Sequence, residues 1–355
     1  VQPWFENQLP GLGLGCGPGP SDISSTACIA ATNGSAFQNG NIASLFIGMD
    51  FFRLGSGLQP FNNLQVFDLF MRTHRDISNY HAFVATLRNR GWHGLQFDMN
   101  YTWSKSLDQV GAVQNSASYY ASSFNRRAEY GPSLFDRTHV FNATYNYDLP
   151  FGQGHRLGSS HSAVNKFIGG WYTAGVFRFS TGVPLAVSKT NQALGGGSIF
   201  GFPNALIPLQ DPGSLGAGVH SGVTGSGGVG TGGDPASGGS GINLFSDPEA
   251  ASNAFRDILL SSDTSTGRGR PLRGFNFSSW DARIGKLTPI TEKVKIEFSF
   301  DFFNALNHPI FEDQAPFFSL DLTNPAAFGV VTAQKIPANR NAGSRWIQFG
   351  FRINF

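Results

Sequence analysis

The sequence predicts an all-β protein, part of an antiparallel transmembrane β-barrel, and three observations carry that prediction. Charged residues make up only 14% of the 355-residue chain, well below the roughly 25% of soluble globular domains. The chain contains no run of roughly 18 apolar residues that could form a transmembrane helix. Instead, apolar and polar residues alternate in segment after segment. This is typical of strands with one face toward lipid and the other toward water, and only helices and closed barrels satisfy the backbone in lipid.

The clearest alternation covers residues 95–104, where five apolar residues alternate with five polar ones. One face of the predicted strand is therefore wholly apolar and the other wholly polar. Similar alternation recurs in six other segments, at residues 83–88, 141–148, 171–180, 280–284, 294–302 and 347–355. Two less regular candidates, at residues 41–52 and 64–74, bring the expectation to about nine strands of the length that a tilted barrel strand needs.

The connections between the predicted strands alternate between short and long. Short connections are expected at residues 90–94 and 288–292, and long ones at residues 107–136, 182–275 and 307–344. Outer-membrane barrels have short periplasmic turns and long extracellular loops. We therefore expect the last strand to run inward and residues 1–40 and 182–275 to be extracellular.

The longest predicted loop, residues 182–275, has two recognisable parts. A Gly- and Ser-rich stretch at residues 213–241 cannot bury a core, which predicts a flexible loop. Residues 247–260 favour a short helix with Asp247 near its N-terminus.

Two cysteines, Cys16 and Cys28, lie among Gly, Pro, Ser and Thr residues. A pair in such a segment predicts a loop disulfide in an oxidising compartment, and two free thiols are the alternative. A zinc site is not expected, because it needs four ligands and only two lie close together.

Charged residues within the predicted strands fall at the polar positions of the alternation. We expect six of them to face a water-filled lumen: Arg178, Asp281, Arg283, Glu297, Asp301 and Arg352. The net charge of +2 is small and the Lys and Arg residues are scattered, so nucleic acid is not an expected partner.

Several short pieces of the chain resemble the C-terminal barrel portion of Oar-like TonB-dependent outer-membrane receptors, in the family's order and over roughly residues 65–355. The pieces are residues 78–82 (SNYHA), 94–106 (GLQFDMNYTWSKS), 135–142 (FDRTHVFN), 147–152 (YDLPFG), 169–171 (GGW), 302–309 (FFNALNHP) and 349–355 (FGFRINF). The resemblance implies a 22-stranded barrel, location in the bacterial outer membrane, an N-terminal plug and a leading carboxypeptidase-regulatory-like domain.

No plug and no TonB box is recognised in these 355 residues. The odd strand count and the absence of a signal peptide lead us to expect the C-terminal part of a larger barrel, because single-chain bacterial barrels have even strand numbers. TonB would then act only through the missing N-terminal part.

The aromatic residues of the last predicted strand, Phe349, Phe351 and Phe355, share one face of it. They resemble the signal by which the barrel-assembly machinery recognises outer-membrane proteins. The simpler interpretation is that they only face lipid, and the two roles are compatible.

An enzymatic function is not expected. Asp136 and His139 with nearby serines suggest a hydrolase at first sight, but no G-x-S-x-G nucleophile elbow is present. No catalytic, cofactor or metal site is expected, and the glycine run from Gly11 to Gly19 lacks the strand and helix of a nucleotide site.

The first functional hypothesis is a TonB-dependent-type receptor that imports an unidentified ligand. The second is a surface protein acting in adhesion or cell contact, and a passive porin is a third.

Overall fold

The computed structural model describes a large part of the chain. The described residues are 3–10, 24–32, 42–61, 76–109, 126–152, 157–158, 161–185, 187, 207–208, 218–223, 241–256, 264–265, 267–269, 272–291, 293–311, 320–322, 325–331, 334 and 343–355. Predictions that fall elsewhere, including the strand at residues 64–74 and most of the flexible stretch at residues 213–241, lie outside these residues.

Seven long strands dominate the described part of the chain. They are β1 (Ser78–Trp92), β2 (Leu95–Asp108), β3 (His139–Asp148), β4 (Trp171–Ser180), β5 (Phe277–Pro289), β6 (Lys295–Phe303) and β7 (Trp346–Asn354). The helices are α1 (Pro3–Gln8), α2 (Ser25–Thr32), α3 (Ile42–Gly55), α4 (Ser162–Ile168) and α5 (Pro248–Asn253). Among the described residues, none of the helices has both the length and the apolar character needed to cross a bilayer.

The seven strands form one antiparallel sheet in which each strand pairs with the next along the chain. The fold class predicted from the alternation is therefore confirmed. The short strand Gly131–Pro132 adds to the end of β2. Within the described residues β1 and β7 each pair on one side only, so the sheet is open there.

The register gives the sheet an apolar face and a polar face. Phe298 lies opposite Phe351, and Phe300 lies opposite Phe349, with ring centroids 5.1 and 5.2 Å apart. Cross-strand aromatic pairs of this kind contribute roughly 0.2–1 kcal/mol each. Because directly opposed residues share a face, these pairs define the apolar face across β6 and β7.

The turn between β1 and β2 shows how local sequence sets the register. His93 and Gly94 both have positive φ, 52° and 83°, as a two-residue type I′ hairpin turn requires. A side chain on Gly94 would also crowd the carbonyl oxygen of Asp148, 3.0 Å from the Cβ position.

The strand predicted at residues 41–52 is wrong, because this segment is helical in α3. Its apolar residues Leu45, Met49 and Phe52 recur at intervals of four and three, which is helix spacing. That spacing puts them on one side of α3, where they pack with the buried residues Leu9, Cys28 and Ile29. The packing favours the helix over a barrel strand.

Helix α2 of this helical cluster begins at a carboxylate from α1. Glu6 accepts hydrogen bonds from the backbone N–H groups of Ser25 and Thr26, at 3.0 and 2.9 Å. Hydrogen bonding from Thr26 and Ser25 lowers the pKa of Glu6, as expected for a carboxylate at a helix N-terminus.

Two glycines inside the sheet are each covered by a tyrosine from the adjacent strand. Gly285 lies opposite Tyr172 on the polar face, and Gly175 lies opposite Tyr145 on the apolar face. A Cβ at Gly285 would overlap the Tyr172 ring, and a Cβ at Gly175 would lie 2.7 Å from the Tyr145 ring. Both glycines therefore provide space for a large ring, which fixes the register of β3, β4 and β5.

Replacing Gly285 with Ala is expected to lower the free energy of unfolding by about 1–3 kcal/mol, the usual cost of overpacking. The added methyl group would push the Tyr172 ring off its neighbour. Urea titration of the folded barrel in lipid vesicles measures the change. Gly55→Ala is the control, because nothing lies within 4 Å of its Cβ position. Equal stability of Gly285→Ala and the wild type would contradict this packing.

Candidate functional site

The polar face of the sheet carries all six of the charged residues predicted to face a lumen. The register places Arg283 opposite Asp301, Glu297 opposite Arg352, and Arg178 opposite Ser279. Asp281 lies two residues from Ser279 on β5 and therefore shares its face. The structure thus brings the six residues onto one face, and their contact with a water-filled lumen stays a prediction.

Ion pairs link neighbouring strands across this face. The Arg283 guanidinium contacts both carboxylate oxygens of Asp301, at 2.5 and 2.9 Å. Arg88 of β1 pairs with Asp98 of β2 at 2.6 Å. Such partly exposed pairs contribute about 0–1 kcal/mol each, so each adds little to stability by itself.

Glu297 has a different environment from the paired carboxylates. Its carboxylate accepts a hydrogen bond from the Tyr172 hydroxyl, which reaches across from β4. Arg352 lies directly opposite Glu297 on β7. The polar face therefore presents hydroxyl, carboxylate and guanidinium groups side by side, a surface suited to a hydrated, polar solute.

Asp281 positions the turn that follows β6. Its carboxylate accepts the backbone N–H of Asn304 at 2.8 Å, and Asn304 and Asn307 both have positive φ. The Asn304 amide donates to the carbonyls of His308 and Gly343, both at 2.9 Å. This network explains the asparagines of the residue 302–309 piece as turn-forming residues.

A buried carboxylate joins the long connections at the opposite end from the β1–β2 turn. Asp136 is 1% exposed and pairs with Arg273 at 2.5 Å and Lys105 at 3.6 Å. It also accepts the backbone N–H of Ser106 at 2.6 Å. Arg273 donates in addition to the carbonyl oxygens of Asp136 and Gly182. One carboxylate thus ties the end of β2 to two different connections.

Two long connections, β4–β5 and β6–β7, pack together into what we call the loop layer. Its buried residues are Leu185, Leu244, Phe245, Ala251, Leu272, Phe275, Leu320, Phe328, Val330 and Val331. The Phe245 and Phe328 rings stack with centroids 5.5 Å apart. The buried Asn243 side chain links the backbones of the same two residues, because it donates to the carbonyl of Phe328 and accepts the N–H of Phe245. The described part of these connections is therefore a packed core.

The helix predicted at residues 247–260 is present but shorter. It is α5, and the Asp247 side chain caps it by accepting the N–H of Ala250 at 2.9 Å. The chain then leaves the helix, and Phe255–Arg256 pairs with Ile207–Pro208. Phe255 packs against Phe328, so tertiary packing ends the helix early.

The residues that suggested a hydrolase at first sight are engaged with other side chains in the described structure. His139 lies on the apolar face, opposite Trp103, where Nδ1 is 2.8 Å from the Tyr101 hydroxyl. Ser133 is 0% exposed, and its hydroxyl is 2.9 Å from that of Ser106. Within the described residues, no group of three or more His, Cys, Asp or Glu side chains could hold a metal ion.

The remaining predicted residues lie at the two ends of the chain. Cys28 is buried in α2, and Cys16 lies outside the described residues, so the Cys16–Cys28 disulfide stays a prediction. Phe349, Phe351 and Phe355 are all exposed on β7 or just after it. Their role as an assembly signal also stays a prediction.

Sequence reasoning missed the joining role of Asp136 and the whole loop layer. Asp136 and Arg273 are 137 positions apart, and no local pattern connects residues at that separation. The apolar residues of the loop layer are dispersed among glycines without a period. The signal that the sequence did offer for this site is Asp136 itself, which lies within the resemblance piece at residues 135–142.

A family model described as outer membrane beta barrel domain matches residues 32–348. The chain belongs to this family. The match places the protein in the bacterial outer membrane, and it covers all of β1–β6. No curated protein and no solved structure matches the chain.

Membership of the outer membrane barrel family indicates what each face of the sheet contacts. In such barrels the apolar face meets lipid and the polar face meets the interior. The exposed aromatic and aliphatic side chains of the apolar face, such as Phe83, Phe298 and Phe349, are therefore at ordinary positions for lipid contact.

We expect Phe300→Arg to lower the free energy of unfolding in vesicles by about 2–4 kcal/mol, the cost of Arg on the lipid face near the bilayer midplane. Phe300 lies opposite Ile284, near the middle of β5. The matched control is Gln348→Arg, which is on the polar face opposite Asp301. If both arginines were equally costly, the assignment of the faces would be wrong.

We expect Asp136→Asn to weaken the attachment of the long connections to the end of β2 by about 3 kcal/mol. This is the low end of the cost of breaking a buried ion pair, because Arg273 retains some solvent contact. Hydrogen exchange at the amides of Ser106 and Ser133 measures this local opening. Asp98→Asn, in the exposed pair with Arg88, is the control and should change stability by less than about 1 kcal/mol.

Proposed function

We propose that this outer-membrane barrel is the receptor and transporter barrel of a TonB-dependent-type system that takes up a ligand. Membership of the barrel family supports an outer-membrane protein. The finer assignment is supported by the seven short pieces that resemble Oar-like receptors, between residues 78 and 355. In this proposal, energy reaches the barrel from TonB through a plug domain, as the resemblance implies.

The observation that carries the proposal is the packed loop layer at one end of strands β4–β7. Its two connections leave the same ends of strands β4–β7 that carry Arg178, Asp281 and Asp301. Such a layer offers a preformed surface for a ligand, and preformed sites lose less entropy on binding than mobile loops do. The polar face then offers hydrogen-bonding groups along the path inward.

A second candidate function is adhesion or cell contact without transport. The same loop layer supports this alternative, because a folded extracellular layer can bind another surface whether or not the barrel transports a solute. Its exposed apolar residues include Val219, beside His220. The two functions differ in their need for energy coupling.

We also propose that the chain is not an enzyme. Asp136 is engaged by Arg273 and Lys105, and the buried Ser133 hydroxyl contacts Ser106, so neither is available to a substrate. The partners of the proposed receptor are membrane lipid, the barrel-assembly machinery through Phe349, Phe351 and Phe355, TonB through a plug, and an unidentified ligand.

Deleting the gene is expected to abolish growth of the source bacterium on one scarce nutrient that needs active import. The test panel consists of ferric chelates, cobalamin and oligosaccharides at limiting concentration. Deleting tonB should reproduce the same defect, because both deletions remove the same energy-coupled step. Gene copies that encode Asp136→Asn or Asp98→Asn then test whether the loop layer contributes.

Undiminished growth of the deletion strain on every nutrient would refute uptake. If the strain instead lost attachment to cells or surfaces, independently of tonB, the adhesion alternative would replace the proposal. If uptake were lost in the deletion strain but not in the tonB strain, a passive porin would replace it.

A further inference from the structure

Lys286 places a positive charge on the lipid-facing side of the sheet. Lys286 of β5 is directly opposite Trp171 on β4 and Phe298 on β6, and Phe298 belongs to the apolar face. An ammonium group in that position needs partners, because charge in contact with lipid is costly.

Helix α4 and the residues that follow it supply those partners. The Lys286 ammonium donates to the carbonyl oxygens of Lys166, Phe167 and Gly169, at 3.1, 2.8 and 2.6 Å. It also lies 5.2 Å from the centre of the Trp171 ring. Three carbonyls match its three N–H donors, and a cation is favoured at a helix C-terminus.

The end of α4 is also fixed by the backbone around it. The Trp171 indole N–H donates to the carbonyl of Phe167 at 3.2 Å, and the N–H of Leu287 donates to the carbonyl of Gly170 at 2.8 Å. A side chain on Gly152 would lie 2.6 Å from the Cα of Gly169. Helix α4 is therefore held against the apolar face of the sheet in one orientation.

This placement leaves apolar side chains of α4 and its turn without cover. Phe167 is 76% exposed and Val164 is 44% exposed, and Leu157 in the same connection is 53% exposed. Lys166, next to Phe167, is also exposed. A short helix with apolar residues and a lysine, held at the rim of a barrel, has the composition of an interfacial anchor.

We propose that α4 is such an anchor. Its exposed apolar side chains contact phospholipid of the inner leaflet of the outer membrane. The exposed residues Leu157, Val164 and Phe167 lie in the connection that Lys286 and Trp171 hold on the lipid-facing side, which argues for lipid rather than a protein partner. The β3–β4 connection lies at the same end as the short β1–β2 and β5–β6 turns, which is the periplasmic end in such barrels. Lys166 then lies at the level of the lipid phosphates.

The test places an environment-sensitive fluorophore on Phe167→Cys in the full-length protein, reconstituted in phosphatidylethanolamine and phosphatidylglycerol vesicles. Wild-type protein controls for labelling of native cysteines. Spin-labelled lipids carry the quencher either near the headgroup or deep in the acyl chain. The expected result is a blue-shifted emission that the shallow quencher suppresses more than the deep one. A label on Thr291→Cys, at the tip of the β5–β6 turn, is the aqueous reference.

Lys286→Met should return the emission at position 167 toward the aqueous reference, because α4 loses its three hydrogen bonds. Lys295→Met is the matched control. Lys295 lies at the same rim but two residues from Glu297, on the polar face. If Lys286→Met does not fold, Trp171→Phe, which removes the N–H donor but keeps a ring, tests the same attachment.

Water-like emission at position 167 in the wild-type background, or crosslinking of a photoreactive residue there to a periplasmic protein in cells, would overturn the proposal. Quenching that is unchanged in both Lys286→Met and Trp171→Phe would overturn the anchoring role of Lys286. The result does not depend on whether the barrel transports a ligand.

Discussion

The structure depends on one constraint, that every backbone N–H and C=O group within the bilayer must be paired inside the protein. Strand pairing satisfies these groups, and the register of pairing decides which face each side chain occupies. A slip of one residue would exchange the apolar and polar faces of a strand. Features that hold the register are therefore as important as the hydrogen bonds themselves. The cover of Gly285 by Tyr172 and the Arg283–Asp301 pair both act in this way.

The same constraint applies to the edges of the sheet. Strands β1 and β7 are the first and seventh of an antiparallel series, so they run in the same direction. An antiparallel barrel that contains this series must therefore insert an odd number of further strands between β7 and β1. The strand predicted at residues 64–74 lies outside the described residues. The unpaired edges of β1 and β7 must be hydrogen-bonded within the bilayer, whichever strands supply the partners.

The sequence was a good guide to the strands because alternation is a local property. Seven of the predicted segments lie within β1–β7 or extend beyond their ends by no more than one residue, since each prediction depends only on side chains two positions apart. The segment at residues 41–52 was misassigned because its apolar residues are dense enough to suggest a strand, although Leu45, Met49 and Phe52 follow helix spacing. The polar face was predictable for the same local reason. The Asp136–Arg273 pair was not, because it joins residues that only the folded chain brings together.

The pieces that resemble Oar-like receptors gain a physical explanation from their positions. Asn304 and Asn307 form the turn after β6, and Gly152 and Gly169 pack backbone against backbone beside α4. Asp136 joins β2 to the long connections. These residues mark strand ends, turns and rim contacts, where the geometry of a barrel restricts the choice of amino acid most strongly. In the proposed receptor, ligand choice would depend on residues between these pieces. The buried residues of the loop layer lie between positions 185 and 275 and between 320 and 331, outside all of the pieces, so in the proposed receptor the exposed surface of this layer is where the ligand is to be sought.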